Sequence, residues 1–223
     1  RIILTEAFTR PAGNSPAQNE LKKIFDQANV NTVQFFANAV DVETKGIDVV
    51  VSHSLQADKF TLNNDFAFNL TQTRKVGEIH TPRAIKAAGL EDKFFSERSR
   101  VLLEEVIPRF KATLSHNLTI GKWNAYLRNT YYGKATSPDI IAADKRIGDF
   151  EFDECGHQVI RGKVITDLSV AYNFTPKTSL TLGVNNLLDL YPEKNVKANS
   201  NNDQFVYSRA TSQFGLNGRY VFL

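Results

Sequence analysis

Apolar and polar residues alternate with a period of two along several separate stretches of the chain. Phe60, Leu62, Phe66, Phe68 and Leu70 share one face of an extended segment, and Asn63, Asp65, Ala67, Asn69 and Thr71 share the other. Phe110, Ala112, Leu114, Leu118 and Ile120 stand against Lys111, Thr113, Ser115, Asn117 and Thr119 in the same way. Leu168, Val170, Tyr172 and Phe174 oppose Asp167, Ser169, Ala171 and Asn173, and Leu180, Leu182 and Val184 oppose Thr181, Gly183 and Asn185. Ile47, Val49, Val51 and Leu55 obey the rule. Near the end, Phe214, Leu216, Tyr220 and Phe222 are set against Gln213, Gly215, Asn217 and Arg219. With segments at Ile2–Phe8 and Trp123–Tyr132, the pattern predicts about eight strands and an all-β fold.

The connections discriminate between all-β folds. Three are tight, at Gln56-Ala57-Asp58, Gly121-Lys122 and Thr175-Pro176-Lys177-Thr178. Four are long: Thr9–Asn31, Arg74–Ile107, Ala135–His157 and Tyr191–Tyr207. Long and short alternate, so in an up-and-down antiparallel sheet all long loops lie at one end and all short turns at the other. Transmembrane barrels have this asymmetry, with short periplasmic turns and long extracellular loops, whereas a soluble β-sandwich has no reason to sort its loops. Phe60, Trp123 and Phe174 flank the short turns, and Phe68 and Tyr131 lie near the long-loop end, as two interfacial aromatic belts would require. The polar face then lines a lumen. Asp41, Glu43 and Lys45 share parity with Ile47 and Val49, so that strand is expected to enter the bilayer only from about Lys45.

Two long loops carry helix signals. Ser15-Pro16-Ala17-Gln18 is a capping box with Pro at the first helical position, followed by Leu21, Ile24, Phe25 and Ala28 at helical spacing. Thr81-Pro82 opens a second short helix that Gly89 can close. The 223 residues are 42% hydrophobic and 23% charged, which excludes a disordered chain. Net charge is +3 with the two signs interspersed, which gives no footprint for nucleic acid. No run reaches the roughly 18 apolar residues of a membrane helix. Methionine is absent, so Arg1 is expected to begin a processed chain or a piece of a longer one.

Ser179-Leu-Thr-Leu-Gly-Val-Asn-Asn-Leu-Leu-Asp-Leu-Tyr-Pro192 resembles the penultimate-strand signature of TonB-dependent outer-membrane receptors. Thr44-Lys45-Gly46-Ile47-Asp48, Ile107-Pro108-Arg109, Trp123 with Tyr131-Tyr132-Gly133, and Phe214-Gly215-Leu216-Asn217-Gly218-Arg219 are similar to other runs of that family, in the same order. The resemblance implies that residues 1–223 form the C-terminal third of a barrel of about 22 strands, with the plug domain and TonB box lying outside the chain. It implies TonB-energised import of a scarce ligand, a ferric siderophore above all, across the outer membrane. The partners would be the TonB complex, reached through the plug, the ligand, and outer-membrane lipid. The alternative is a self-contained eight-stranded outer-membrane barrel with an adhesin or structural role.

Catalytic signatures are missing: there is no nucleophile motif, phosphate loop or HExxH, so no enzyme and no cofactor is expected. Asp153-Glu154-Cys155-Gly156-His157 gathers metal-binding residue types, but its spacing fits no zinc pattern, and a polar loop is the expected reading. Cys155, the sole cysteine, would have to pair outside the chain to form a disulfide. His53 and His116 share parity with apolar residues, which points to interface or packing roles. Ligand contacts are expected from Arg83, Arg98 and Arg100 in the long loop 74–107, which Lys86 also makes basic, and from Tyr132 at the top of the polar face. Guanidinium and phenol groups suit an anionic, aromatic ligand.

Overall fold

The computed structural model describes residues 2–200, 204–211 and 213–223. The chain divides into two compact units, residues 1–44 with 73–104 and residues 45–72 with 105–223.

Seven strands form one open antiparallel sheet. In chain order the elements are β1 (Ile2–Leu4), β2 (Phe8–Thr9), α1 (Pro16–Ala28), β3 (Thr32–Val33), β4 (Phe36–Asn38), β5 (Asp41–Ala57), β6 (Phe60–Val76), α2 (Arg83–Ala87), α3 (Glu91–Phe94), α4 (Glu97–Glu104), β7 (Phe110–Ile120), β8 (Trp123–Tyr132), β9 (Ala135–Ile140), β10 (Glu151–Phe152), β11 (His157–Ile160), β12 (Lys163–Thr175), β13 (Thr178–Asn185) and β14 (Tyr220–Phe222). The sheet runs β14-β13-β12-β8-β7-β6-β5, which is an up-and-down order with β5 and β14 at its edges. Asp58-Lys59, Gly121-Lys122 and Pro176-Lys177 make the three tight turns, with Gly121 supplying a positive φ of 55°. The expected loop Ala135–His157 is instead an ordered three-stranded extension, β10-β11-β9, above the β8–β12 ladder.

Register fixes the faces. Leu118 pairs with Leu62 and Ala125, Leu127 with Leu168, and Val170 with Leu182, so the apolar residues form one continuous surface. Asn117 pairs with Asn63 and Tyr126, and Arg128 with Ser115 and Asp167, on the polar surface. Gly46, within the Thr44–Asp48 run, is required because a Cβ there would sit 2.9 Å from the Leu70 carbonyl.

Two expectations are corrected. The N-terminal strand does not join this sheet: Ile2–Leu4 pairs with Phe36–Asn38, and Phe8–Thr9 with Thr32–Val33. These pieces are far shorter than the roughly 9–11 residues of a spanning strand. The eight-stranded closure is therefore not formed among the described residues. The last strand is also shorter than expected and turned over. Only Tyr220–Phe222 joins the sheet, and it is Val221 that pairs with Val184 on the apolar face. Phe222 lies opposite Gly183 on the polar face, where its ring fills the space of the missing Cβ. A glycine opposite an aromatic gives that ring a seat, and this outweighs simple alternation.

In the first unit, Phe8, Phe25, Ala39, Val40, Ile85, Phe94 and Phe95 form a core, with Phe8 stacked on Phe35 at 5.6 Å. Helix α1 begins at the expected capping box: the Gln18 amide N–H donates to Ser15 Oγ, and the Ser15 N–H to Gln18 Oε1. It ends at Asn29 in the left-handed conformation. Leu21 and Phe25 are buried, while Ile24, expected on the same face, is left exposed. The second expected helix is α2, after Pro82, with Gly89 at φ 68° and the Leu90 N–H bonded to the Ile85 carbonyl.

Candidate functional site

The polar face is a hydrogen-bonded wall. Ser52 donates to Asp65 at 2.6 Å, Ser54 to Asn63 at 2.7 Å, and Asn69 to Asp48 at 2.6 Å, tying β5 to β6. Asn124 donates to Thr119 at 2.9 Å, and Arg128 to Asp167 at 2.7 Å. A hollow of about 450 Å³ opens here, lined by Ser52, Asn63, Asp65, Ser115, Asn117 and Tyr126 among others. On the opposite face a hollow of about 440 Å³ is lined by Trp123, Val170, Tyr172, Phe174, Leu180 and Leu182. A surface this apolar belongs against hydrocarbon, and the polar wall belongs against water. Aromatic side chains mark both ends of the apolar face: Trp123, Tyr172 and Phe174 in contact at 4.7 and 4.9 Å, and Phe68, Phe110 and Tyr131 in contact at 5.0 and 5.4 Å.

Polar groups on the apolar face are paired with each other. His116 and Asn64 Oδ1 lie 2.6 Å apart, and Asn64 Nδ2 lies 3.3 Å from His53 Nδ1, a chain crossing three strands. Thr166 donates to Asn129 at 2.8 Å. His53 and His116 thus have a common partner that parity alone did not reveal.

The Val184-Asn185-Asn186-Leu187-Leu188-Asp189 signature is a structural clamp. Asn186 takes φ 52°, and its side chain both donates to the Leu190 carbonyl and accepts from the Leu190 N–H. Its own N–H donates to Asp167, and Asp189 accepts from the Arg219 N–H at 2.8 Å. The signature therefore ties the top of β13 to β12 and to the chain entering β14. Above it, Arg161 donates to Glu193 at 2.6 Å, and this carboxylate raises the guanidinium pKa further. The neighbouring Asp189 carboxylate raises the Tyr191 phenol pKa.

The expected ligand residues are distributed over both units. Arg83, the first residue of α2, and Arg98, on α4, are exposed. Arg100 is two residues from Arg98 and thus on another side of the helix. It is half-buried and bonded to Glu97 at 2.6 Å and Glu104 at 3.1 Å, a pairing that satisfies its charge within the helix. Tyr132, in the second unit, is half-buried on the polar face, with the Lys111 ammonium 5.1 Å from its ring and Phe214 at 5.5 Å. Asp153–His157 forms the turn between β10 and β11: the Asp153 carboxylate accepts from the His157 N–H at 2.8 Å, His157 is fully buried, and Cys155 is an exposed thiol. Among the described residues no group of three or more His, Cys, Asp and Glu is placed to hold a metal ion. Sequence reasoning missed the walls of the loops around Phe150 and Phe205, where no periodicity signals a face.

A sequentially ordered antiparallel sheet, apolar on one face and polar on the other, with tight turns at one end and folded loops at the other, defines the wall of a transmembrane β-barrel. The chain belongs to the TonB dependent receptor-like, beta-barrel family, which it matches over residues 8–187. No curated protein matches the chain. The family is one of outer-membrane receptors engaged in transport rather than catalysis.

Proposed function

We propose that this chain is the C-terminal part of the barrel of a receptor that imports a scarce, large ligand, a ferric siderophore, with energy delivered by the TonB complex acting on a plug domain outside these residues. The barrel does no chemistry. Folded loops capture the ligand and the hydrogen-bonded polar wall gives it a wet path. The observation that carries this reading is the sorting of structured loops and two-residue turns to opposite ends of a two-faced sheet. Arg83, Arg98 and Tyr132 are the proposed direct contacts, and Arg100 holds α4 through Glu97 and Glu104. The test is uptake of radioactive iron complexes by cells carrying or lacking the full receptor under iron limitation. Receptor-dependent uptake abolished by a protonophore supports the reading. Uptake that does not depend on the receptor, or that survives collapse of the proton gradient, overturns it.

A further inference from the structure

Each of the three tight turns carries a lysine at its second position: Asp58-Lys59, Gly121-Lys122 and Pro176-Lys177. In the first, Asp58 precedes the lysine and offsets its charge. The second and third hold no acid, and these two bound the apolar hollow of about 440 Å³ lined by Trp123, Val170, Tyr172, Phe174, Leu180 and Leu182. Trp123 directly follows Lys122, and Phe174 and Leu180 stand on either side of the Pro176-Lys177 turn. Lys122 is held at the mouth of the hollow by β12. Its carbonyl accepts from the Asn173 N–H at 2.9 Å, and its ammonium donates to the Phe174 carbonyl at 3.2 Å. Two ammonium protons remain for a further acceptor. The Lys177 N–H donates to Thr175 Oγ1 at 3.2 Å, which fixes the third turn, and the Lys177 side chain is exposed.

The hollow has the depth of one leaflet. Phe174 and Val170 are four residues apart, about 10 Å along the bilayer normal at ~3.3 Å per residue and ~40° tilt, close to half of the roughly 25 Å apolar band. Its side chains are open: Trp123 and Leu182 are each 55% exposed. Trp123 and Tyr172, in contact at 4.7 Å, bring an indole N–H and a phenol O–H to the level of the interface. An apolar slot one leaflet deep, with two cations and no acid at its mouth, matches an acyl chain below an anionic headgroup. We propose that this hollow is a seat for an anionic glycerophospholipid of the leaflet at the tight turns, with one acyl chain in the slot and the phosphate between Lys122 and Lys177. A second copy of the chain lying parallel against the same face would bring two more lysines to that end, and like charges oppose it. The proposal goes beyond the transport reading: it stands on the barrel wall alone and is independent of what the receptor imports.

The test is native mass spectrometry of the full receptor released from nanodiscs, with three probes: phosphatidylglycerol, phosphatidylcholine of the same acyl chains, and lipid A. Lys122→Gln/Lys177→Gln is compared with Lys59→Gln, and heat-modifiable gel mobility verifies that each barrel is folded. The wild type should retain phosphatidylglycerol in preference to the other two lipids. The double variant should bind it about 25-fold more weakly, about fivefold per lysine, with the gap narrowing at high salt. Phosphatidylcholine binding should change less than about twofold, and Lys59→Gln should match the wild type. Leu180→Trp, which fills the slot without altering charge, should weaken both glycerophospholipids alike at every salt concentration. Equal retention of phosphatidylglycerol and phosphatidylcholine overturns the seat, as does a preference that survives the double variant. An equal loss in Lys59→Gln also overturns it, by showing diffuse charge at the rim. Tighter binding of lipid A overturns the choice of lipid, and a receptor dimer that Leu180→Trp disrupts assigns the face to a second copy instead. None of these outcomes bears on proton-gradient-dependent iron uptake, so the two readings fail separately.

Discussion

The facing of the sheet can be tested with three arginines on one strand. In β12, Tyr172 lies opposite Trp123 and Val164 opposite Tyr131, so the strand passes from one aromatic row to the other between these residues. Eight residues at 3.3 Å each, tilted near 40°, separate the rows by about 20 Å, close to the roughly 25 Å apolar band of such barrels. Leu168 lies midway, opposite Leu127 and Val184. Val170 is one row, about 5 Å, nearer the tight turns. This places Leu168, rather than Val170, closest to the bilayer centre. Arginine at the midplane of a lipid face costs about 2–4 kcal/mol, or about 30- to 700-fold in the folding equilibrium. Leu168→Arg should reach that range, and Val170→Arg about 1–2 kcal/mol, because the longer side chain can reach the interface. Ser169→Arg turns to the polar wall beside Tyr126, with the Asp167 carboxylate two residues away, and should change stability by less than about 0.5 kcal/mol. The assay is reversible denaturant unfolding of the full barrel in lipid vesicles. Equal costs for the three arginines, or a larger cost at Ser169 than at Leu168, would refute the assignment of the apolar face to lipid.

Further outcomes follow from particular contacts. Asn64→Leu leaves the His53 and His116 imidazoles without their shared partner on the apolar face and should cost about 1–3 kcal/mol in the same titration, whereas replacing all three by Leu should recover the loss; a neutral single variant would show that the chain of hydrogen bonds is not formed. Asn186→Ala loses both side-chain bonds to Leu190 and places a Cβ residue at φ 52° without the asparagine's local bonds, so it should destabilise by about 1–3 kcal/mol, and Asn186→Gly, which relieves only the backbone, should restore part of this. Asp26 has its pKa lowered, chiefly by the hydrogen bond from Arg10, so the tie is present above the ordinary carboxylate pKa and lost as pH falls through the lowered folded value. Pepsin should therefore cut residues 11–31 of Arg10→Gln faster than wild type near pH 5 and equally fast at the acid end; equal rates throughout would remove the tie's role.

Much of the second unit was legible because alternation and turn length are local signals. β5, β6, β7, β8, β12 and β13 all follow from period two, and the tight turns at Gly121-Lys122 and Pro176-Lys177 fall where short connections are read, while the first lies slightly later than Gln56-Ala57-Asp58, at Asp58-Lys59. Helix α1 was legible for the same reason: Ser15, Pro16 and Gln18 act on one another across three residues. The failures are long-range. Nothing local to Ile2–Phe8 tells it to pair with Thr32–Asn38 instead of joining the sheet, and nothing local to Tyr220–Phe222 tells Phe222 to seek Gly183. Arg100 is the instructive middle case. Glu97 and Glu104, at i−3 and i+4, already spell out its ion pairs once the segment is read as a helix.

The same distinction separates the two parts of the function. The wall of the barrel is specified by a repeat that any stretch of its strands displays, because each strand must satisfy lipid on one side and water on the other. The loops follow no such repeat: their side chains meet only after Gln158, Asn195 and Val206 have pinned distant backbone together. Phe150 and Phe205 are 55 residues apart in sequence and line one cleft. No spacing rule connects them, so the general class of the protein can be read from its strands, whereas the chemistry of its ligand has to be read from the folded loops.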